Sequence, residues 1–298
     1  MGDDGLILRT WREDDLDATV RMRLEADPKV SEEYLRSPSL LDPARFRHRE
    51  VAVRGGEVVG YASATVQTDD LPYLGASILV VPAAQGRGVG SALMTRLRSG
   101  VGARQWLTIV RDDDPRSLAV AHHWGCEVVS RSIMSQLDLT GGVPVPRASA
   151  GAVVRFLEDA ELDVLGIDID PLLMASSTAP EDEVLGWRFG RAVYQTYSAS
   201  LVWVVVEVGG RPVATVVADR GDRVTWFVDF TGVDPAYRRR GLARTAKELL
   251  HARAADEGAR AVLTANEERN VEIRALNASM GYVPESGELR LMRPADAG

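Results

Sequence analysis

The sequence predicts an α/β protein with mixed sheets, built as two tandem copies of one domain. Three observations carry that expectation. The stretches "VAVRGGEVVGYASATVQ" and "LVWVVVEVGGRPVATVVA" each alternate apolar residues around a Gly-Gly pair, the pattern of a tight β-hairpin. Each hairpin is followed by an apolar strand, a short loop containing proline and an amphipathic helix. Matched residues recur at one offset: Pro82 and Pro235, Gln85 and Arg238, Gly88 and Gly241, and Gly90 and Ala243 all differ by 153.

In chain order, the first hairpin turns at Gly55-Gly56, "ASILVV" reads as a buried strand and "GSALMTRLRSGV" as a helix. "LTIVRDDDPRSLAVAHHWGCEV" follows as a strand and a helix. Gly, Pro and Ser then cluster in "LTGGVPVPRASAGAVV", Leu139 to Val154, which marks a boundary. The expected division is a domain at 1–140, a linker at 141–150 and a domain at 151–298. In the second half the hairpin turns at Gly209-Gly210, "TWFVDFTGV" is the strand and "LARTAKELLHARAADEG" the helix. Leu107 and Leu263, Thr108 and Thr264, and Gly125 and Gly281 differ by 156, so the copies slip by the length of a small loop insertion.

Composition narrows the function. The chain has 298 residues, 35 Lys and Arg against 43 Asp and Glu, and a net charge of -8, so as a whole it repels polyanions. Nearly every cation is arginine; Lys29 and Lys247 are the only lysines. The single Cys126 excludes internal disulfides and multi-cysteine metal sites, and reads as a small buried hydrophobe. His48, His122, His123 and His251 lack metal-ligand spacing, so no metal is expected. The acidic start "MGDDGLILRT", with no apolar run near the length of a membrane span, points to a cytoplasmic protein without a membrane partner.

Each half carries the pattern Q/R-x-x-G-x-G/A where a strand gives way to a helix: "QGRGVG", Gln85 to Gly90, and "RRRGLA", Arg238 to Ala243. Small residues there let a diphosphate approach the backbone, where the opening amides of a helix and its dipole stabilise negative charge. The loops are not P-loops, since no Lys-Ser or Lys-Thr follows the glycines. Their spacing also fails G-x-G-x-x-G. A plain tight helix entry and a solvated charge run are the competing readings. Two copies at one offset favour phosphate, and Glu248 and Asp256 on the following helix argue against nucleic acid.

On these motifs the chain resembles the GNAT superfamily of acyl-CoA-dependent N-acyltransferases, whose coenzyme A pyrophosphate loop has this form. "LTANEERNVEIRALNASMGYV" is similar to that family's late strand and helix, with Thr264, Asn266, Asn270, Asn277, Gly281 and Tyr282 filling its pattern. The resemblance implies acetyl-CoA as donor. It also implies coenzyme contacts from Val233, Arg238, Arg239, Arg240, Gly241, Leu242, Ala243, Asn266 and Asn270. In the first half it implies coenzyme contacts from Val81, Gln85, Gly86, Arg87, Gly88, Val89 and Gly90. Backbone amides at the strand end around Val233 are the family's usual oxyanion donors.

Acyl transfer to an amine also needs a base and a means of releasing the thiolate. Asp229, inside the apolar strand, is the candidate base. Alternation places Phe227, Asp229 and Thr231 on one face and Trp226, Val228 and Phe230 on the other, and burial there raises the carboxyl pKa. An Asp held structurally by nearby backbone or Thr231 is the competing reading. Many GNAT enzymes place a tyrosine acid four residues before the closing Gly-aromatic pair. Asn277 stands there, and an amide can hydrogen-bond a thiolate but not readily protonate it. The first half has no strand acid in "YLGASILVV" and has Val110, Asp114 and Ala121 where the second has Asn266, Asn270 and Asn277. The expected function is N-acetyl transfer to a small primary amine by direct attack, catalysed by the second half. A non-catalytic acyl-CoA-binding or sensor protein is the alternative. The aromatic stretch Trp187 to Trp203 is assigned to core packing rather than an acceptor pocket.

Overall fold

Both hairpins form where alternation and turn residues place them. The structure is a computed structural model that describes residues 5–27, 30, 32–66, 71–146, 151–177, 185–186, 190–198 and 200–295. By internal contacts the chain separates into Met1–Val129 with Leu289–Gly298, and Ser130–Glu288.

The first unit contains β1 (Ile7–Thr10), α1 (Leu16–Ala26), α2 (Glu32–Leu35), α3 (Pro38–Leu41), β2 (Phe46–Arg54), β3 (Glu57–Val66), β4 (Tyr73–Val80), α4 (Val89–Val101), β5 (Gln105–Arg111) and α5 (Pro115–His123). Its strands lie in the order β1-β2-β3-β4-β5, antiparallel except for the parallel pair β4 and β5. Leu93, Leu97 and Val89 of α4 pack on Ala52, Ala62 and Ala64, small residues that let the helix lie close to the sheet. Gly60 carries this furthest: a Cβ there would lie 2.8 Å from Leu93.

The second unit contains most of β6 (Glu127–Asp138), then β7 (Ala152–Glu158), α6 (Asp159–Val164), α7 (Asp170–Ser176), α8 (Arg191–Tyr197), β8 (Leu201–Val208), β9 (Arg211–Asp219), β10 (Thr225–Val233), α9 (Leu242–Asp256), β11 (Ala261–Glu267), α10 (Val271–Ser279) and the start of β12 (Val283–Arg293). Its order is β6-β11-β10-β9-β8-β7, with β10 and β11 the parallel pair. The apolar run of β8 is buried on both faces, as such runs are when helices cover a sheet on either side. Leu242, Ala246, Leu250 and Ala254, four apart on α9, pack against Val204, Val216 and Trp226. On the opposite face Leu162, Leu172 and Tyr194 cover Trp203, Val205 and Val217. Each buried leucine contributes about 1.5–3 kcal/mol.

The units differ from the division at 140–150, for a physical reason. β6 pairs with β11 along its length, from Glu267 opposite Ser132 to Ala261 opposite Asp138. Leu137 and Leu139 belong to the second unit's core. The first unit is completed by the C-terminal residues: Leu291 packs with Val110, Ala121 and Cys126, and Arg293 Nε donates to the Trp124 carbonyl at 3.1 Å. The Gly/Pro-rich run marks a break in secondary structure, whereas strand pairing decides which core each flank joins. Residues 147–150 of that run lie outside the described residues. Cys126 is a free, buried thiol, its pKa raised by burial. Among the described residues no helix is long and apolar enough to cross a membrane.

Candidate active site of the second unit

The site begins where two parallel strands part. β10 and β11 pair from Thr225–Ala261 to Val228–Thr264, where the Thr264 hydroxyl donates to the Val228 carbonyl at 3.2 Å. Beyond that point the pairing stops. On its other edge β10 has a β-bulge: Val228 faces Ala218 and Phe230 faces Val217, leaving Asp229 without a partner. The extra residue reverses the alternation. Trp226 and Val228 enter the core beneath α9, but Phe230 packs on the opposite side, 6.4 Å from the Tyr194 ring. The strict two-residue alternation expected across this strand therefore fails at Asp229, because a bulge adds a residue that no period-two pattern counts.

Asp229 is not sealed in the core, as its apolar neighbours suggested. Its side chain is open to solvent, yet the crowded protein around it desolvates the carboxyl and pushes its pKa up to about 7; Asp219 adds a smaller push in the same direction. Water reaching the carboxyl weakens the energetic worth of the shift without changing its direction.

After Val233 the chain makes a short turn, Pro235–Tyr237, capped by Asp234, which accepts from the Ala236 amide at 2.9 Å and pairs with Arg211 at 2.6 Å. Arg238 turns back, and its Nε donates to the Val233 carbonyl at 3.3 Å. In the first unit Gln85 does the same: its Nε2 donates to the Val80 carbonyl at 2.9 Å. The Q/R position thus ties the loop to the end of the strand in both copies, a structural duty that the motif alone does not reveal.

The backbone is repeated as well. Gly88 and Gly241 precede their helices at φ +80°, and Arg239 holds φ +59° at the counterpart of Gly86, φ +72°. No side chain caps the start of α4 or α9, so their opening amides remain available to an anion. Leu242 and Val89 are buried anchors, while Arg87, Arg239 and Arg240 are exposed. Arg240 donates to the Ala236 carbonyl at 3.1 Å and lies 4.8 Å over the Tyr237 ring. Ala243 is half-buried, and a Cβ added at Gly90 would lie 3.6 Å from the Trp124 ring.

Asn266 lies two residues past Thr264, in the part of β11 that has lost its parallel partner. Asn277 of α10 is 2% exposed and donates from Nδ2 to Asn266 Oδ1 at 2.6 Å, while its own Oδ1 has no hydrogen-bond partner among the described residues. Asn270 is the residue before α10, where its side chain makes no capping bond. The first unit is built differently at these places. Val110 and Ala121 are packed apolar residues, and Asp114 caps α5 by accepting from the Ser117 amide at 3.0 Å. β4 and β5 also part, after Gly75–Leu107, but the β3–β4 register runs unbroken from Gly60–Val80 to Val66–Leu74. That unit has the opening without the bulge or the acid.

Sequence reasoning missed the bulge, which leaves no compositional mark. It also missed a buried polar group on α9, where Lys247, His251 and Tyr282 come together. One signal was available: Lys247 is one of two lysines in an arginine-rich chain and occupies a core position of its helix. The aromatic stretch packs as core where it is described, Tyr194 meeting Trp203 edge-on at 6.1 Å; Trp187, Arg188, Phe189 and Ala199 lie outside the described residues.

The model of the acetyltransferase (GNAT) family matches residues 8–125 and 167–282. A mycothiol acetyltransferase of Nocardia farcinica is 27% identical over 281 residues, covering 83% of this chain and 82% of that protein. A GCN5-related N-acetyltransferase from Sphaerobacter thermophilus shares the fold at a TM-score of 0.76 and 18% identity, covering 99% of this chain and 98% of that one. A tandem GNAT protein of the clavulanic acid biosynthesis pathway shares it at 0.73 and 20% identity, covering 98% and 99%. Two copies of one strand–loop–helix device and two matches of one family model lead to a single conclusion: the chain is an acetyltransferase enzyme of the GNAT family, in tandem form.

Proposed function

We propose that the second unit transfers an acetyl group from acetyl-CoA to the primary amine of a small molecule by direct attack, and that the first unit is a structural or coenzyme-holding partner. The observation that carries this is Asp229, whose raised pKa lies at the edge of the opened strands in the second unit alone. The residues present suit the coenzyme: uncapped amides at the start of α9, a left-handed turn without side chain at Gly241, and a slot between β10 and β11.

Bound acetyl-CoA supplies a thioester carbonyl for the amine to attack. The Arg239, Arg240, Gly241 and Leu242 amides, with the α9 dipole, hold the diphosphate. The strand-end backbone near Val233 donates to the developing oxyanion. Asp229, as carboxylate, accepts the proton the amine loses; a pKa near 7 keeps it ionised at slightly alkaline pH and basic enough to act. Asn277 Nδ2 carries a second hydrogen beside the one given to Asn266, and that hydrogen is the donor assigned to the departing sulfur. A thiol ionises near 8.5, so departure as a thiolate needs such a bond and water rather than a dedicated acid.

The relative named mycothiol acetyltransferase supports small-molecule amines as the first acceptors to try. A screen of amines with detection of released thiol tests the reading. Amine-dependent release supports it, and release that no amine in the panel stimulates contradicts it.

A further inference from the structure

Lys247 occupies the driest part of the second unit. It is 0% exposed, in the second turn of α9, and its Nζ has no hydrogen-bond partner among the described residues. His251 lies one turn further on, and the Tyr282 ring centroid lies 4.9 Å from Nζ. His251 Nε2 and the Tyr282 hydroxyl are 2.8 Å apart and satisfy each other. The strands beneath α9 present Val204, Val216, Val228 and Trp226. Their acidic side chains are engaged elsewhere: Glu207 with Arg155, Glu158 with Arg220 and Asp219 with Ser200, while Asp229 is exposed to solvent. On α9 itself Glu248 lies 4.0 Å from Arg244.

The same chain shows the apolar solution to this position. The residue 153 earlier is Met94, buried on α4, and the counterpart of Tyr282 at 156 earlier is Cys126, also buried. A lysine there replaces a hydrophobe that the fold accepts, at the cost of an amine with nothing to bond. A neutral amine against an aromatic ring tolerates such surroundings. An ammonium group requires hydrogen bonds and water that this core does not provide.

We propose that Lys247 is a pH-sensitive control on the coenzyme helix of the second unit. As the neutral amine it lets α9 seat on the sheet; its protonation loosens α9 and, with it, the phosphate loop at the N-terminus of that helix. Burial pulls the Lys247 pKa down to about 7, so this titration falls where small changes of pH matter. The unfolded chain holds the proton up to about pH 10.4. Stability contributed by the neutral form therefore grows as pH rises from about 7 toward about 10.4, and has been lost once pH falls back to about 7. The coenzyme consequence rests on the assignment of acetyl-CoA to the start of α9.

The test compares the full-length protein with Lys247→Met, the residue already accommodated at position 94. Because Lys29 and Lys247 are the only lysines, lysine-labelled protein gives two side-chain NMR signals. One is expected to titrate near 7 and to vanish in the variant; two signals titrating near 10 would overturn the proposal. The melting temperature of the wild type should rise relative to the variant between pH 6 and 9, and parallel profiles would contradict it. Acetyl-CoA affinity of the wild type should fall at least about fivefold more than that of the variant between pH 8 and 6. Binding with the same pH dependence in both proteins overturns the control. Failure of both proteins to bind acetyl-CoA at any pH overturns the coenzyme assignment instead, and melting then decides alone whether α9 is pH-controlled.

Discussion

Arg239 stands at φ +59° where Gly86, its counterpart in the other copy, stands at φ +72°. One loop conformation is thus built twice, once with the residue that adopts it freely and once with an exposed arginine that does not. A non-glycine residue in the left-handed region persists when the surroundings demand that conformation. The expected consequence is that Arg239→Val lowers stability by about 1–2 kcal/mol, whereas Arg239→Gly does not lower it. Urea unfolding of the two variants checks this; equal losses would mean that the arginine side chain, not the backbone, matters there.

Asn277 and Asn266 are expected to act as a pair, since one donates to the other at 2.6 Å from a buried position. Each single alanine variant leaves a polar partner unsatisfied, so the double variant should cost less than the sum of the singles. The coupling should be about 0.5–1.5 kcal/mol in denaturant unfolding. Additive losses would show that the bond contributes nothing measurable.

Asp229→Asn should lower kcat/KM by roughly a hundredfold or more and remove the acidic limb of its pH profile, which in the wild type rises toward about pH 7. Coenzyme binding should survive. The stability effect has a definite sign. A carboxyl whose folded pKa is raised destabilises the fold as pH climbs from its unfolded value near 3.9 through about 7, so the asparagine variant should gain on the wild type over that window. Melting curves at pH 4 and pH 8 check the sign, and near-normal turnover would return Asp229 to a structural role.

Much of this arrangement is legible in the sequence, because the signals involved are local. Alternation around Gly-Gly turns placed both hairpins, and the spacing from Gln85 to Gly90 and from Arg238 to Ala243 placed both loops. What escaped depends on partners distant in the chain. The bulge at Asp229 exists only through its pairing with β9, so period-two alternation assigns Phe230 to the wrong face. β6 joins the second unit through β11, residues that lie about 130 positions later, and a Gly/Pro-rich run cannot announce that. The motif marks Arg238 as a coenzyme contact but carries no sign of its bond to the Val233 carbonyl, which Gln85 repeats toward Val80 in the other copy.

The division of labour between the copies is tested most directly by one paired measurement. Gly88 and Gly241 share φ +80°, and an added Cβ meets no protein atom within 4 Å at either, so valine imposes the same backbone strain and the same bulk toward a phosphate in each loop. Steady-state thiol release with one working amine acceptor should be measured for Gly88→Val and Gly241→Val, after circular dichroism confirms that both are folded. The expected result is turnover within a few fold of wild type for Gly88→Val. For Gly241→Val, turnover should be abolished and acetyl-CoA affinity lowered more than tenfold, a loss of about 1.4 kcal/mol or more. Normal turnover in Gly241→Val with loss in Gly88→Val would contradict the assignment of catalysis to the second unit.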